Sequence, residues 1–203
     1  MCRRGRGRYF AEVKLAAAKP QPLRRVLGID PGTNVLGFAV VEGRGSARKL
    51  VTAGVLKTPP RESHAEKLRT IFERIVGLIG EHQPTECAIE APFYGKNVQS
   101  MLKLGRAQGV AMAAAISRGL EVCEYAPSKI KQSVTGGGGA SKEQVAELVA
   151  RMLAFDRNGM PLDATDAVAT ALCHLNQRAF GAVGGESYAG WSQFLERNPG
   201  RVR

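Results

Sequence analysis

The sequence predicts a mixed α/β domain, a five-stranded sheet flanked by helices. Two observations carry this. The chain opens with three apolar runs separated by turns bearing glycine or proline, which reads as an antiparallel hairpin group. From residue 62 onward, apolar positions recur at helical spacing and alternate with short strand-like runs, the order that crossover connections in a sheet require. With 203 residues, the chain is long enough for one domain with a sizeable core plus tails.

Val26–Asp30 reads as a short buried strand and Leu36–Val41 as a second, after the turn Pro31-Gly32-Thr33. Leu50–Leu56 follows as a third, beyond a hairpin marked by Gly43 and Gly45. Over 62–82, Leu68, Ile71, Phe72, Ile75 and Ile79 share one helical face, and Pro84 ends that helix. Cys87–Glu90 is a strand that finishes on an acid. Residues 97–118 form a long helix rich in alanine and glycine, whose small side chains admit a second helix, within the domain or across a dimer. Leu120–Tyr125 is the fifth strand. Residues 127–134, opened by Pro127, make a helical turn or short helix, and Gly136–Gly139 a flexible loop. Ser141, with Gln144 at the capping-box position, starts a helix to about Phe155, and a last helix runs from near Leu162 to about Arg178. The domain is therefore bounded at 25–178. A basic extension, 1–24, is expected to be disordered, and a glycine-rich polar tail, 179–203, loosely ordered. There are no internal repeats.

The net charge of +11 is unevenly spread: residues 1–25 hold eight Lys/Arg and one Glu, leaving only +4 for the rest. A nucleic-acid arm, a transit-like segment (though one poor in serine) and an overextended translation start all fit such a tail. The mildly basic body permits a polyanionic partner without demanding one. No apolar run approaches the ~18 residues of a membrane span, so a cytoplasmic protein with no membrane partner is expected. Cys2, Cys87, Cys123 and Cys173 are scattered without paired spacing, which argues against zinc and disulfides.

Acids stand at element boundaries. Asp30 ends the first strand and Glu90 the fourth, while Asp163 and Asp166, three apart in "PLDATDAVATAL", share a face at the start of the last helix. If strands one and four are neighbours, Asp30 and Glu90 lie side by side at the sheet's rim, where ligand clefts form. Two unit charges ~4 Å apart repel by about 4 kcal/mol at an effective dielectric of 20, so such a cluster calls for protons or a cation. An all-oxygen donor set favours magnesium or manganese, and suits phosphodiester hydrolysis by two ions about 3.5–4 Å apart. Taken singly, each acid also has an ordinary reading: Asp163 as a helix N-cap, Glu90 as a solvated strand end, Asp30 as a turn former. His174, two turns beyond Asp166, reads as a packing residue.

The successive stretches "GIDPGTNVLGFAVVE", "CAIEAPFYGKNVQSMLKLGRAQGVAMAAA", "EYAPSKIKQSVTGGGGASKEQV" and "DATDAVATALCH" resemble, in order and with matching spacing over 25–178, the motifs of RuvC-type Holliday junction resolvases. The resemblance implies an RNase H-like fold. It also implies a homodimer that resolves four-way DNA junctions by paired symmetric nicks, leaving 5′-phosphate and 3′-hydroxyl ends, in recombination and repair. The catalytic, metal-holding acids carry over to Asp30, Glu90, Asp163 and Asp166, with Mg2+ or Mn2+, two ions per site, as cofactor. Lys131 and Lys142 match lysines that approach the scissile phosphate. Phe93 matches an aromatic at the junction centre, and Lys96, Asn97, Lys103 and Arg106 fall in a DNA-facing segment. The RuvAB branch-migration complex is implied as a partner. The chain departs from the pattern at Ala91, where the family often has glutamine, and in its four consecutive glycines before Lys142. Three alternatives share features: an RNA-processing nuclease of the same fold; the actin-like ATPases and sugar kinases, whose phosphate turn resembles D-x-G-T but which use two such domains, with no second phosphate loop in these 203 residues; and a catalytically inactive junction binder, although all four acids are present.

Overall fold

In the computed structural model the described residues are 22–92 and 97–181. They form a single mixed sheet in the order β3-β2-β1-β4-β5: β1 (Arg24–Asp30), β2 (Val35–Arg44), β3 (Ala47–Lys57), β4 (Glu86–Glu90) and β5 (Glu121–Tyr125). β1, β2 and β3 pair antiparallel, whereas β4 lies parallel to β1 and β5 parallel to β4. Strands one and four are therefore neighbours. Five helices complete the fold: α1 (His64–His82), α2 (Val98–Ser117), α3 (Pro127–Thr135), α4 (Lys142–Leu153) and α5 (Leu162–Gly181). Among the described residues no helix is long and apolar enough to cross a membrane.

Strand periodicity divides the core into two layers. Leu27 and Ile29 of β1, Phe38 and Val40 of β2 and Ile89 of β4 face α1 and α2, packing with Ile71, Ile75, Ala107 and Ala111. Alternate residues, Val26, Ala39, Val41 and Ala88, face α4 and α5 and pack with Val145, Val149, Val168 and Leu172. By the same parity Arg24, Gly28 and Asp30, and likewise Glu86 and Glu90, belong to the α5 side.

Element ends differ from the sequence reading where caps decide them. α4 stops at Leu153 because Ala154 adopts a left-handed cap (φ 51°), and α3 is a full nine-residue helix closed by Gly136 at φ 76°. The first of the four glycines is thus a helix terminus. Both expected capping devices at Ser141 and Gln144 form. β1 starts at Arg24 and α5 extends to Gly181, slightly past the limits set at 25 and 178. Residues 1–21 and 182–203, which include most of the basic extension and the tail, lie outside the described residues. The small residues of α2 serve two faces: Ala107, Ala111, Ala114 and Ala115 are buried inside the domain, whereas Gly105 and Gly109 have open space above them.

Where β1 and β4 begin, Arg24 grips Glu86 with two parallel hydrogen bonds of 2.6 Å, and His174 Nε2 adds a third contact at 2.7 Å. The bond from Arg24, against the opposing effect of burial, and then that from His174 hold the Glu86 carboxyl down at about 2, from an ordinary 4.5. A depressed acid stabilises the fold fully above its unfolded value and loses that contribution as pH falls through the folded one. Glu86→Gln is therefore expected to destabilise the protein by about 2–4 kcal/mol at pH 7, a little below the range for fully buried pairs. Denaturant titrations at stepped pH should show the gap to wild type closing between pH 4.5 and about 2.

Candidate active site

Asp30 is the last residue of β1 and faces α5; its cross-strand partner on β2 is Gly37. The turn that follows is tied down from a distance. Thr58 Oγ1 donates to the Thr33 carbonyl (2.7 Å), the Thr58 amide to the Asn34 carbonyl (3.0 Å), and the buried Lys67 ammonium to Asn34 Oδ1 (2.8 Å). Glu90 ends the adjacent parallel strand, level with Tyr125 of β5.

The second pair of acids arrives on α5, and glycine decides how close that helix comes. A Cβ on Gly37 would lie 1.9 Å from the Asp163 carbonyl oxygen, and one on Gly28 would lie 2.2 Å from the Ala167 carbonyl oxygen. Neither is possible, so only glycine lets the first turns of α5 rest on β1 and β2. Leu162 opens the helix, which puts Asp163 inside its first turn rather than at the cap position. Asp163 and Asp166 then reach Asp30: one carboxylate oxygen from each of the three lies within 4.8 Å of the other two. Glu90 stands beside this trio. It lines, with Asp166, Lys131 and Lys142, a small cleft of about 30 Å³ walled by Pro127, Ile130, Val145 and Ala169.

The electrostatics follow from burial and crowding. Burial first, then the charges of Glu90 and Asp166, push the Asp30 carboxyl up to about 8; Asp163 adds to the push and Lys142 opposes it. Burial, then Asp166, raises Glu90 to about 7, against Lys142 and Lys131. Lys142 Nζ donates to Asp166 Oδ2. Burial works against that ammonium, but Asp166, Asp30 and Glu90 outweigh it and raise its value. The donor set is all carboxylate oxygen, without histidine or cysteine, and two lysines are too little charge for four acids. Hard divalent cations fit this arrangement by chemistry and by charge.

The structure thus brings Asp30, Glu90, Asp163, Asp166, Lys131 and Lys142 together. Lys103 and Arg106 are exposed on α2, and Asn97 caps that helix by accepting the Ser100 amide at 3.1 Å. Phe93 and Lys96 lie outside the described residues. Sequence reasoning missed Thr58 and Lys67, because nothing local marks a threonine or lysine as the anchor of a turn some 25–33 residues away. It also missed the network around His174, which is hydrogen-bonded rather than simply packed.

The family model for crossover junction endodeoxyribonuclease RuvC matches residues 26–174. Crossover junction endodeoxyribonuclease RuvC from Cytophaga hutchinsonii is 53% identical over 180 residues, covering 89% of this chain and 88% of the relative. The Bacteroides fragilis protein of the same name is 50% identical over 187 residues, covering 90% and 99%. Among solved structures, T. thermophilus RuvC in complex with Holliday junction substrate is similar with a TM-score of 0.74 and 33% identity, over 78% of this chain and 96% of that one.

Close approach at Gly37 is open to test. Gly37→Ala should force α5 away from β2, lowering stability by about 1–3 kcal/mol in denaturant titrations and weakening divalent-cation binding, because Asp163 moves away from Asp30. Wild-type cation affinity in a folded variant would show that the carboxylates do not depend on this contact.

Proposed function

This chain belongs to the crossover junction endodeoxyribonuclease RuvC family, and we propose on that premise how its clustered acids are used. The protein is an endodeoxyribonuclease that resolves four-way (Holliday) DNA junctions. The observation that carries the assignment of its site is the convergence of Asp30, Asp163 and Asp166, from opposite ends of the domain, at the sheet's rim. The nuclease domain is taken as 25–178, with both tails outside it. The enzyme works in the cytoplasm, in recombination and repair, with the RuvAB branch-migration complex as a partner by family resemblance.

Asp30, Glu90, Asp163 and Asp166 would hold two magnesium or manganese ions. Bound there, such ions supply Lewis-acid activation of the attacking water and stabilisation of the leaving 3′ oxygen, so that cleavage leaves 5′-phosphate and 3′-hydroxyl ends. The chain's own residues do the rest. Burial of Asp30 and Glu90 keeps the carboxylates out of bulk water, where their charge acts at short range. Lys142 and Lys131, which line the cleft beside the acids, present ammonium groups to the scissile phosphate and balance charge that develops on it. Lys103 and Arg106 meet the DNA backbone from α2, with Asn97 at the head of that helix; Phe93 and Lys96 join them by resemblance. Such contacts fix position and shape rather than sequence, and make binding salt-sensitive.

A junction has approximate two-fold symmetry and needs two cuts on opposed strands, so two copies of the site are required. The outward face of α2 supports a dimer. Val98, Leu102, Gly105, Gly109, Met112 and Ile116 follow one another at spacings of four, three, four, three and four residues, with Met112 half-buried where this face meets the core. Val98, Leu102 and Ile116 are 65%, 52% and 59% exposed, and nothing lies within 4 Å of a Cβ on either glycine. The pattern is symmetric about residue 107. Two such helices laid antiparallel would put the glycines at the crossing point and the large side chains at both ends, which is the self-complementarity an isologous contact needs.

Asp30→Asn is expected to bind synthetic four-way junctions with affinity near wild type and to lose at least about 10²–10³-fold in cleavage rate, the usual cost of removing a preorganised charged group. Gel shifts and strand-cutting assays with magnesium and manganese titrations measure both, with linear duplex and RNA as controls. Full cleavage by the variant overturns the site, and preference for RNA or linear duplex overturns the substrate.

Ile116→Arg places a charge opposite Val98 of the partner subunit twice per dimer. Light scattering should then report a monomer, circular dichroism an intact fold, and paired cuts should give way to single nicks. An intact dimer would move the interface elsewhere.

A further inference from the structure

The α5-facing side of the sheet carries a second polar cluster, reaching from Tyr125, level with Glu90, to Glu86 and Arg24 at the opposite strand ends, that the cleavage chemistry leaves unused. His174 is 1% exposed, yet both ring nitrogens are engaged: Nε2 lies 2.7 Å from Glu86 Oε2 and Nδ1 lies 2.7 Å from the Tyr125 hydroxyl. The Tyr125 ring meets the imidazole edge-on, with centroids 5.7 Å apart. Glu86 is gripped in turn by Arg24. The network therefore joins α5 to the first residue of β1, the first of β4 and the last of β5. Those are the two strands that end in Asp30 and Glu90, and the strand that runs beside Glu90.

We propose that His174 is a positioning residue for the metal site: by locking α5 against β1, β4 and β5, it sets where Asp163 and Asp166 stand relative to Asp30 and Glu90. Three features favour this over packing alone. From the acids inward the helix meets the sheet at Gly37 and Gly28, with Ala167 and Ala171 against Gly28, a close contact of backbone and methyl groups. The directional bonds of His174 add a fixed orientation to that packing. Eight residues separate His174 from Asp166, about 12 Å along the helix, so a small rotation at one end displaces the carboxylates at the other. Finally, the buried imidazole engages β4 through Glu86 and β5 through Tyr125, two directional contacts on different strands that packing alone does not require. Misplacement by about 1 Å is enough to cost about 10²-fold in rate.

The inference rests on the metal-dependent nuclease function proposed above, and its test separates the two. Manganese binding to the full chain without DNA is measured by titration calorimetry. Junction binding is measured by gel shift, and junction cleavage at saturating substrate with wild type in parallel. His174→Phe keeps a ring but no nitrogen. It should bind manganese about tenfold more weakly and cut with kcat reduced about 10–100-fold, the range for residues that orient metal ligands from behind, with KM and junction affinity unchanged. His174→Gln, which can still donate to Glu86, should return both values to within about threefold of wild type. Should His174→Phe not fold, Tyr125→Phe removes a single hydroxyl and should give a smaller loss in the same two quantities. Wild-type manganese affinity and kcat in a folded His174→Phe or Tyr125→Phe protein overturn the proposal, and so does a glutamine variant as impaired as the phenylalanine one. A wild type that binds manganese but cuts no junction, beside a His174→Phe variant with weakened binding, would leave the positioning role standing and remove the nuclease function.

Discussion

Everything at this site depends on how closely α5 lies on β1 and β2. The helix backbone occupies the space where side chains would normally stand, and Gly28 and Gly37 are what make that space available. Gly37 is paired with Asp30 across the strands, so the point of closest approach is also the point where the first acid sits. A helix held several ångströms further out would still bury its apolar face. It would not bring Asp163 and Asp166 to Asp30, and three carboxylates that share 4.8 Å would become separate surface charges. Packing and chemistry are here one constraint, met by leaving out two Cβ atoms.

That closeness is costly on its own. Burial and like charge drive Asp30 and Glu90 far from the ordinary carboxylate range, and only Lys142 and, more weakly, Lys131 push back. Such a site is stable to the extent that something else holds α5 down. Part of that is the apolar layer of Val145, Val149, Val168 and Leu172. The rest is polar, along the same interface, where Arg24, Glu86, His174 and Tyr125 satisfy one another. The face of the sheet under α5 is thus organised along its length: crowded acids at one rim, glycine and alanine beside them, and a paired polar network that runs from Tyr125 to Glu86 and Arg24 at the other rim.

Much of this was legible in the chain. Strand alternation alone puts Val26, Gly28 and Asp30 on one side of β1, and Ala88 and Glu90 on one side of β4, while Arg24 and Glu86 lie just before the strands as the sequence marks them. The acids at the ends of those strands could be named, and so could the three-residue spacing of Asp163 and Asp166. What periodicity could not supply was register between distant segments. Glu86 and Arg24 become partners only once β1 and β4 are known to run parallel with Val26 opposite Glu86. The imidazole of His174 looked like one more buried side chain, since the hydroxyl and carboxylate that engage it come from 49 and 88 residues away. The role of Lys67 was hidden for the same reason.

The residues at the site also break local rules, and the breaks have a common direction. A glycine inside β2 weakens a strand that β-branched residues would favour. A lysine at the first position of α4 opposes the helix dipole, where an acid would be preferred; here Lys142 reaches across to Asp166 instead. An aspartate in the first turn of α5 could have served as its cap, yet the helix begins one residue earlier and Asp163 is left to face Asp30. Each departure carries a modest local cost that the fold would shed if stability alone selected the residue. Local preference and global fold agree elsewhere in the sheet and disagree where charge must be concentrated, which is the pattern expected of a site built for divalent cations rather than of an accident of surface acidity.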